Sequence, residues 1–298
     1  MTIIGMRKVS YTISGVLVGF SILALLIWGL KFGIDFTGGS LMEIEFQGTR
    51  PDQNVIVQAL NSVDISNAIV QPTGENGLFL RLANISEEKH QEALVALTRL
   101  GIKFTEKKFD SIGPTIGAEL KRNSMWALSI VLIMIVLYIS WAFRQISRPM
   151  ASWKYGVSAV IALFHDVFIP LGIFAYLGHY YDVEIDTLFI TAILTVLGFS
   201  VHDTIVVFDR IRENLRKLGR RFDFEEVVEQ SIKQTITRSI NTSMTVFFVM
   251  TLLFFFGGVA TKFFALTLLI GVFFGTYSSI FIASALLVTW YKHSLKRV

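Results

Sequence analysis

Long apolar blocks dominate the chain and alternate with short polar segments. The first block runs from about Val9 to Leu30. About 20 apolar residues span the hydrocarbon core of a bilayer, and at about 22 residues this block is longer than the apolar core of a signal peptide. We therefore predict an uncleaved transmembrane helix here. Five further blocks predict five more such helices: Ser124–Phe143, Tyr155–Leu177, Thr187–Phe208, Ser239–Ala260 and Phe263–Trp290.

Residues 33–123, between the first and second blocks, have the mixed pattern of a water-exposed domain. Alternating apolar residues predict strands, and apolar residues three and four positions apart predict helices. The order β-α-β-β-α-β is that of the ferredoxin-like fold. The predicted elements are, in chain order, Met42–Phe46, Asp52–Val63, Ile65–Val70, Leu78–Leu82, a helix opening at Ser86, and Ile102–Phe109.

The fold class predicted is thus an α-helical polytopic membrane protein with one small α+β ferredoxin-like domain between helices 1 and 2. The predicted divisions are residues 1–32 for the N-terminus and first helix, 33–123 for the domain, and 124–298 for helices 2 to 6.

Basic residues lie at one side of these predicted helices. Cytoplasmic loops are rich in Lys and Arg, whereas the connection from Gly178 to Asp186 contains neither. We therefore expect a multi-pass protein of the cytoplasmic (inner) membrane, with both termini cytoplasmic and the 33–123 domain extracytoplasmic. The basic residues are Arg7, Lys8, Arg144, Arg148, Lys154, Arg210, Arg212, Arg216, Lys217, Arg220, Arg221, Lys233, Arg238, Lys292, Lys296 and Arg297.

Composition narrows the function classes. Mean hydropathy is +0.58 and charged residues are 17%, below the roughly 25% of soluble proteins. The net charge of +4 comes from loop residues, so we expect no nucleic-acid partner. There is no cysteine, no Walker phosphate loop and no readable hydrolytic site. We expect no enzyme activity, no catalytic residue and no cofactor.

Ionisable side chains inside the predicted spans are the candidate functional residues. Asp166, beside His165, lies near the middle of the third helix, and Asp203, beside His202, lies within the fourth. A charge there costs about 2.5–3.5 kcal/mol on insertion scales, so each is a functional candidate. No metal-ligand spacing accompanies these His and Asp residues, so we expect no metal site.

Arg238 opens the fifth helix and is followed by a polar stripe of Asn241, Thr242 and Thr245. If the fourth and fifth helices pack together, Arg238 lies at the depth of Asp203. Two interpretations remain open, a proton relay and a static ion pair joining two helices. Asp209 and Arg210 end the fourth helix, where they are expected to anchor it at the membrane interface.

Several stretches together resemble the SecF branch of the SecD/SecF family, within the resistance-nodulation-division superfamily. One contains Asp35, Gly38 and Gly39, and another contains Gly113 and Pro114. The remaining stretches are Gly198–Asn214, Thr237–Ser243 and Gly275–Ile280. The resemblance covers nearly the whole chain.

The resemblance implies a subunit of the Sec protein-export machinery that uses the proton motive force in late steps of polypeptide translocation. Its implied partners are a SecD-like subunit, the SecYEG channel with associated insertion factors, and the translocating polypeptide. Asp203 and Arg238 match the family's proton pathway, whereas the usual Asn before that Asp is His202 here. His202, Asp166, His165, Asn241 and Thr242 are further candidates for the pathway.

Two other functions remain open. One is a proton-coupled exporter of small molecules or lipids from the same superfamily. The other is a scaffold that transports nothing, in which Asp203 and Arg238 form a structural pair.

Overall fold

The computed structural model describes residues 2–143, 150–218 and 223–295. Its chain divides into two compact units, Phe32–Met125 and the combination of Met1–Lys31 with Trp126–Val298. Six basic residues used in the topology argument lie outside the described residues. They are Arg144, Arg148, Arg220, Arg221, Lys296 and Arg297.

The smaller unit is a four-stranded antiparallel sheet with two helices. Its elements are α2 (Ile34–Thr37), β1 (Gly39–Phe46), α3 (Gln53–Asn61), β2 (Ile69–Thr73), β3 (Gly77–Leu82), α4 (Glu87–Thr98) and β4 (Phe104–Ile112). The order of strands in the sheet is β2-β3-β1-β4, the split β-α-β arrangement that the sequence predicts.

An apolar core between the helices and one sheet face holds this unit together. Met42 and Ile44 on β1, Leu80 on β3, and Ile56 and Leu60 on α3 are completely buried. Each side chain so buried contributes about 1.5–3 kcal/mol. Asp52 and Ser86 cap α3 and α4 by accepting hydrogen bonds from backbone N–H groups, as the sequence predicts for Asp52.

The predicted strand Ile65–Val70 is wrong at both ends, because β2 covers Ile69–Thr73. Asp64 and Asn67 adopt left-handed backbone conformations, with φ of 60° and 59°. These residue types tolerate that region, so they form a turn and delay the strand. The strand then continues through Pro72, which an edge strand such as β2 accommodates.

Two glycine-containing motifs cross closely within this unit. Gly38 has φ +73°, and a Cβ there would lie 2.7 Å from the Cα of Pro114. A Cβ at Gly117 would lie 2.8 Å from the Gly38 nitrogen. Gly38 and Gly117 therefore allow the segment that enters the domain to pass directly against the Gly113-Pro114 segment that leaves it. Asp35 lies beside this crossing, half-buried in α2.

The described residues contain six helices long and apolar enough to cross a membrane. The sixth is continuous but irregular, because a π-helical turn at Ser279–Ala283 joins the α-helical segments Val259–Ser278 and Ser284–Leu295. A short 3₁₀ turn (Ile4–Met6) precedes the first helix. The helices are α1 (Arg7–Ile27), α5 (Pro114–Ala142), α6 (Ser152–Tyr181), α7 (Thr187–Leu218), α8 (Phe224–Phe256), α9 (Val259–Ser278) and α10 (Ser284–Leu295).

The fourth and fifth predicted helices are longer than their apolar blocks. Helix α7 continues ten residues past Phe208, and α8 begins at Phe224 rather than at Ser239. Both extensions contain many polar residues, so the apolar pattern of the sequence does not predict them. Val228 and Ile232 are nevertheless completely buried at helical spacing along the start of α8, so packing extends the helix beyond the apolar block.

Small residues let the helices of the larger unit approach closely. A Cβ at Gly172 would lie 2.3 Å from the Cα of Ser21, where α6 meets α1. A Cβ at Gly271 would lie 2.1 Å from a methyl of Val196, where α9 meets α7. Close backbone approach is the usual way that membrane helices gain packing contacts. It places α9 among α6, α7 and α8 and brings their polar side chains together.

Candidate functional site

Asp203 is buried inside the helix bundle and is held by two serines. Its Oδ1 accepts a hydrogen bond from Ser239 Oγ at 2.5 Å, and its Oδ2 accepts one from Ser279 Oγ, also at 2.5 Å. Ser239 lies on α8, and Ser279 opens the π-helical turn. The carboxylate thus joins α7 to both neighbouring helices, and 7% of the residue is exposed.

Asp166 forms a second buried carboxylate centre and is completely buried. Its Oδ1 bonds to His165 Nδ1 at 2.9 Å, and its Oδ2 accepts hydrogen bonds from Ser200 and from Ser278, the latter at 2.7 Å. The centre therefore contains residues of α6, α7 and α9. In the described part of the chain, neither Asp166 nor Asp203 has a Lys or Arg ion-pair partner.

The π-helical turn lies where the sixth helix contacts both carboxylates. Directly after it, the Ser284 side chain donates a hydrogen bond from Oγ to the carbonyl of Ser279, five residues earlier. One turn before it, the hydroxyls of Thr276 and Ser243 are hydrogen-bonded to each other. Single π turns are frequent at functional sites in helices. Buried hydroxyl residues lie on this turn and on both sides of it, namely Thr276, Ser278, Ser279 and Ser284.

The structure does not bring Arg238 to Asp203. Ser239, the next residue, contacts the carboxylate, while the Arg238 side chain is exposed on another face of α8. Among the described residues, Arg238 forms no ion pair. Asn241 and Thr242 lie on that same exposed face, and Thr242 donates to the Arg238 carbonyl at 2.9 Å. A direct Asp203–Arg238 pair is therefore absent from the described chain.

His202 also lies outside the cluster, since its side chain is exposed on α7 although Asp203 beside it is buried. His165 differs, because it is buried against Asp166 and 5% exposed. No group of three or more His, Asp or Glu side chains in residues 2–143, 150–218 and 223–295 is arranged to hold a metal ion.

Arg210 joins α7 to α8 rather than standing alone at the end of a helix. Its Nε donates to Gln234 Oε1 at 2.6 Å, and Asn214 Nδ2 donates to the same oxygen at 2.9 Å. Asn214 also reaches Ser231 at 2.8 Å. Asp209 lies 3.7 Å from the guanidinium of Arg212. These bonds fix the α7–α8 hairpin and thereby the position of Ser239 against Asp203.

The comparisons with known proteins agree on one family. A family model described as "Protein export membrane protein SecD/SecF, C-terminal" matches residues 93–293, and one described as "SecD/SecF GG Motif" matches residues 24–49. The first covers more than half of the chain. The chain belongs to the SecD/SecF family.

Individual relatives of this family match nearly the whole chain. The protein translocase subunit SecF of Thermobaculum terrenum is 43% identical, covering 99% of this chain and 96% of its own length. The protein translocase subunit SecF of Anaerolinea thermophila is 41% identical, covering 97% of this chain and 94% of its own length. Both are named translocase subunits, which does not favour the small-molecule or lipid exporter.

Solved SecDF structures share the fold. The crystal structure of SecDF from Thermus thermophilus superposes with a TM-score of 0.83 at 33% identity, over 97% of this chain. SecDF in its super-membrane-facing form gives a TM-score of 0.71 at 31% identity. The chain spans 38% and 39% of these two SecDF chains, so each contains a large part with no counterpart here.

The serines of the site are the residues that sequence reasoning missed. Ser200, Ser239, Ser278 and Ser279 all fall in the stretches that carry the SecD/SecF resemblance, but no role was predicted for them. Their signal was weak, because serine is a common residue at helix contacts in membranes. Only the folded arrangement shows that each one donates to a buried carboxylate.

Proposed function

We propose that this chain is a SecF-like membrane subunit of the Sec protein-export machinery. In this proposal it uses the proton motive force to promote late steps of polypeptide translocation across the cytoplasmic membrane. The observation that carries the proposal is that a SecD/SecF-family chain buries Asp203 among hydroxyl donors, with no basic partner among the described residues. Such a group can gain and lose a proton, as relays in membrane transporters require.

A SecD-like partner is part of this proposal, and the exposed face of α8 supports it. Arg238, Asn241 and Thr242 all lie on that face. Unpaired polar groups in hydrocarbon are costly, so a second protein should cover them. The large SecDF part with no counterpart here supports the same partner. The SecYEG channel, its associated insertion factors and the translocating polypeptide are the further proposed partners.

Arg238 would act across that interface. We place Asp203 as the group that takes up the proton and Arg238 as the charge that biases it once the partner encloses both. Asn241 and Thr242, one turn along α8, and the exposed His202 would line the same route. The chain is proposed to act without catalysing a covalent reaction itself.

Export by the reconstituted complex tests the two central assignments. Asp203→Asn keeps size and hydrogen bonding but removes titration, so proton-driven export should fall to background while the complex stays assembled. Arg238→Lys keeps the charge but loses the planar guanidinium, so export should be reduced rather than normal. If the Asp203→Asn, Arg238→Gln double variant exports normally under a proton gradient, a static pair explains the site instead.

Co-purification in mild detergent tests the partner. A SecD-like chain should elute with this one at a fixed ratio, and Arg238→Ala should weaken that association more than Phe256→Ala, an apolar exposed residue on the same helix. A single-chain preparation that exports on its own would contradict the proposal and return attention to a self-contained exporter.

Orientation is proposed from the basic loops, with both termini and the α7–α8 connection cytoplasmic and the 33–123 domain outside. The cysteine-free chain permits single-cysteine labelling without background. A cysteine at Asn76 should react with an impermeant reagent in intact cells, and one at the exposed Glu226 should react only after lysis. The reverse pattern would overturn the topology.

A further inference from the structure

Two consecutive serines of the sixth helix contact two different buried carboxylates. Ser278 Oγ donates to Asp166 Oδ2 at 2.7 Å, and Ser279 Oγ donates to Asp203 Oδ2 at 2.5 Å. Successive side chains on a helix point about 100° apart, so this short segment faces α6 and α7 at once. We propose that Asp166 is a second proton-binding site, coupled to Asp203 through Ser278 and Ser279. The proposal extends the proton-coupled function proposed above.

The charges around Asp166 support this assignment. Among the described residues, His165 is the titratable side chain bonded to Asp166. The ring centroid of Tyr277 on α9 lies 6.0 Å from that of His165, and Asp203 is linked to this centre through the adjacent serines. No Lys or Arg of the described residues pairs with either carboxylate. No cation of the described residues therefore holds either carboxylate in its ionised form, and the adjacent serines give the two sites one shared hydrogen-bonding segment.

The serine donors can follow a change of protonation. Ser278 Oγ also lies 3.1 Å from the Gly275 carbonyl, and Ser279 Oγ lies 3.0 Å from the Thr276 carbonyl. When a carboxylate is ionised, the serine O–H points to it. When it is protonated, its own O–H donates to the serine Oγ, and the serine proton turns to the carbonyl. Each hydroxyl keeps its proton, so coupling requires rearranged hydrogen bonds in one turn and no transfer between serines.

His165 gives Asp166 a group with which to exchange its proton. Its Nδ1 bonds to Asp166 Oδ1, while its buried Nε2 has no hydrogen-bond partner in the described part of the chain. A proton from Asp166 would cross that bond to Nδ1, and Nε2 is the nitrogen at which the imidazole can exchange a proton on its other side. The Tyr277 hydroxyl is already engaged with the Ser10 carbonyl at 3.3 Å. His165 is therefore the neighbour available to receive the proton.

Two buried hydroxyls lie between this centre and the basic end of the bundle, where α6 begins and α7 ends. Thr204 Oγ1 lies one turn beyond Ser200 on α7, and Ser158 Oγ lies on α6 about 12 Å before Asp166 by helix rise. Both lack a partner among the described residues. Buried hydroxyls are usually hydrogen-bonded, by water where no protein group reaches them, so in this proposal they belong to the path by which a proton reaches Asp166.

Infrared difference spectroscopy of the full chain, purified with its partner in lipid nanodiscs, tests the coupling directly. Subtracting spectra of Asp166→Asn from those of the wild type isolates the carbonyl band of protonated Asp166, and Asp203→Asn isolates that of Asp203. We expect both bands to titrate. We also expect Asp166→Asn to move the midpoint of the Asp203 band by about one pH unit or more. An absent Asp166 band, or an unmoved Asp203 midpoint, would overturn the proposal.

Ser278→Ala provides a second variant in case Asp166→Asn does not fold. It removes one donor and leaves both carboxylates, so both midpoints should shift. Thr267→Val is the matched control, because Thr267 is completely buried on the same helix and its hydroxyl donates to the Phe263 carbonyl. Unchanged midpoints in Ser278→Ala would exclude serine coupling. Coupled midpoints in a complex that fails to export would instead refute the proposed function and leave the coupling intact.

Discussion

The larger unit buries carboxylates in two regions, and their hydrogen-bond donors differ in kind. At the basic end, Glu229 accepts hydrogen bonds from the backbone nitrogens of Ile3 and Ile4 at 3.1 and 2.9 Å. Lys233 Nζ also lies 3.2 Å from the same carboxylate. In the bundle interior, Asp166 and Asp203 accept most of their hydrogen bonds from serine hydroxyls instead. The buried fractions of Glu229 and Asp203 are equal.

The two regions differ in whether the hydrogen-bond donors around the carboxylate can also act as acceptors. A backbone N–H can only donate, so Glu229 serves the fold purely as a hydrogen-bond acceptor at the start of the first helix. A hydroxyl donates or accepts, so a serine can accommodate either protonation state of an aspartate. Burial alone does not distinguish Glu229 from the carboxylates proposed to bind protons. The donor set does, because only the serine hydroxyls of the interior can both donate and accept.

The largest expected effect compares neutral isosteres at the two kinds of site. Asp203→Asn should reduce proton-driven export to background, because titration is lost. Glu229→Gln should retain most of the export activity, because a side-chain carbonyl can still accept from Ile3 or Ile4. Export rates of the two reconstituted complexes, measured at matched protein levels, check this. Equal losses in both variants would mean that Glu229 also belongs to the proton-coupling machinery.

The second effect concerns the spacing of the helices that carry the serines. Gly271→Ala places a Cβ 2.1 Å from one methyl of Val196 and 3.0 Å from its Cβ, so turning the valine cannot clear the overlap. Overpacking of this kind costs about 1–3 kcal/mol. We expect a less stable bundle and a displaced Ser278–Ser279 turn.

Gly198→Ala is the matched control, because a Cβ at Gly198 meets nothing within 4 Å. Alanine favours a helix over glycine by up to about 1 kcal/mol, so this variant should be neutral or slightly stabilised. Unfolding of both variants in lipid nanodiscs, followed by tryptophan fluorescence, compares them. A Gly271→Ala bundle as stable as the wild type would show that α7 and α9 separate without penalty.

The fold was predictable wherever the spacing of apolar residues and the length of an apolar block determine the element. The six helices and the β-α-β-β-α-β order follow from apolar blocks and alternation, because each pattern matches a single kind of element. The start of α8 did not follow, since Val228 and Ile232 lie among charged residues and only their packing shows that the segment is helical. The start of β2 depends on the left-handed backbone conformations of Asp64 and Asn67, and the pattern of apolar positions does not predict such conformations.

The candidate site was predictable in part, and for a physical reason. Asp166 and Asp203 are conspicuous in apolar segments because a carboxylate there is costly. Their donors are not conspicuous, because a serine is tolerated almost anywhere in a membrane helix. The sequence predicts that Arg238 faces Asp203, because the two residues lie at similar depths in the membrane. Depth, however, does not determine the direction in which a side chain leaves its helix. Ser239, one position later, is the residue whose side chain reaches the carboxylate.

A smaller effect tests the structural half of the comparison. Glu229→Ala removes the acceptor of two backbone N–H groups, and losing a helix cap costs about 0.5–2 kcal/mol. We expect faster hydrogen exchange at the Ile3 and Ile4 amides, with little change in the bundle interior. Glu226→Ala, an exposed glutamate one turn earlier on α8, is the control and should leave those amides unchanged. Equal exchange in both variants would show that Glu229 does not hold the N-terminus.

The smallest effect concerns an exposed carboxylate in the ferredoxin-like unit, where solvent competes with the protein donors. Glu87 accepts a hydrogen bond from Gln91 Nε2 at 2.7 Å and lies 3.3 Å from His90 Nδ1. The Gln91 bond, followed by that to His90, holds the pKa of Glu87 below its ordinary value of 4.5. Because the folded pKa is the lower one, its stabilising contribution is present above 4.5 and is lost as the pH falls through the folded pKa.

Glu87→Gln should therefore weaken the unit slightly near neutral pH and make no difference in acid. Glu88→Gln is the matched control. Glu88 is also exposed in the first turn of α4, and this substitution removes the same charge from the start of the helix. Hydrogen exchange of the β1 amides, corrected for the intrinsic rate at each pH, compares the two variants. A difference between them that persists below about pH 3, where both glutamates are protonated in the folded and unfolded chain, would mean that packing rather than ionisation is responsible.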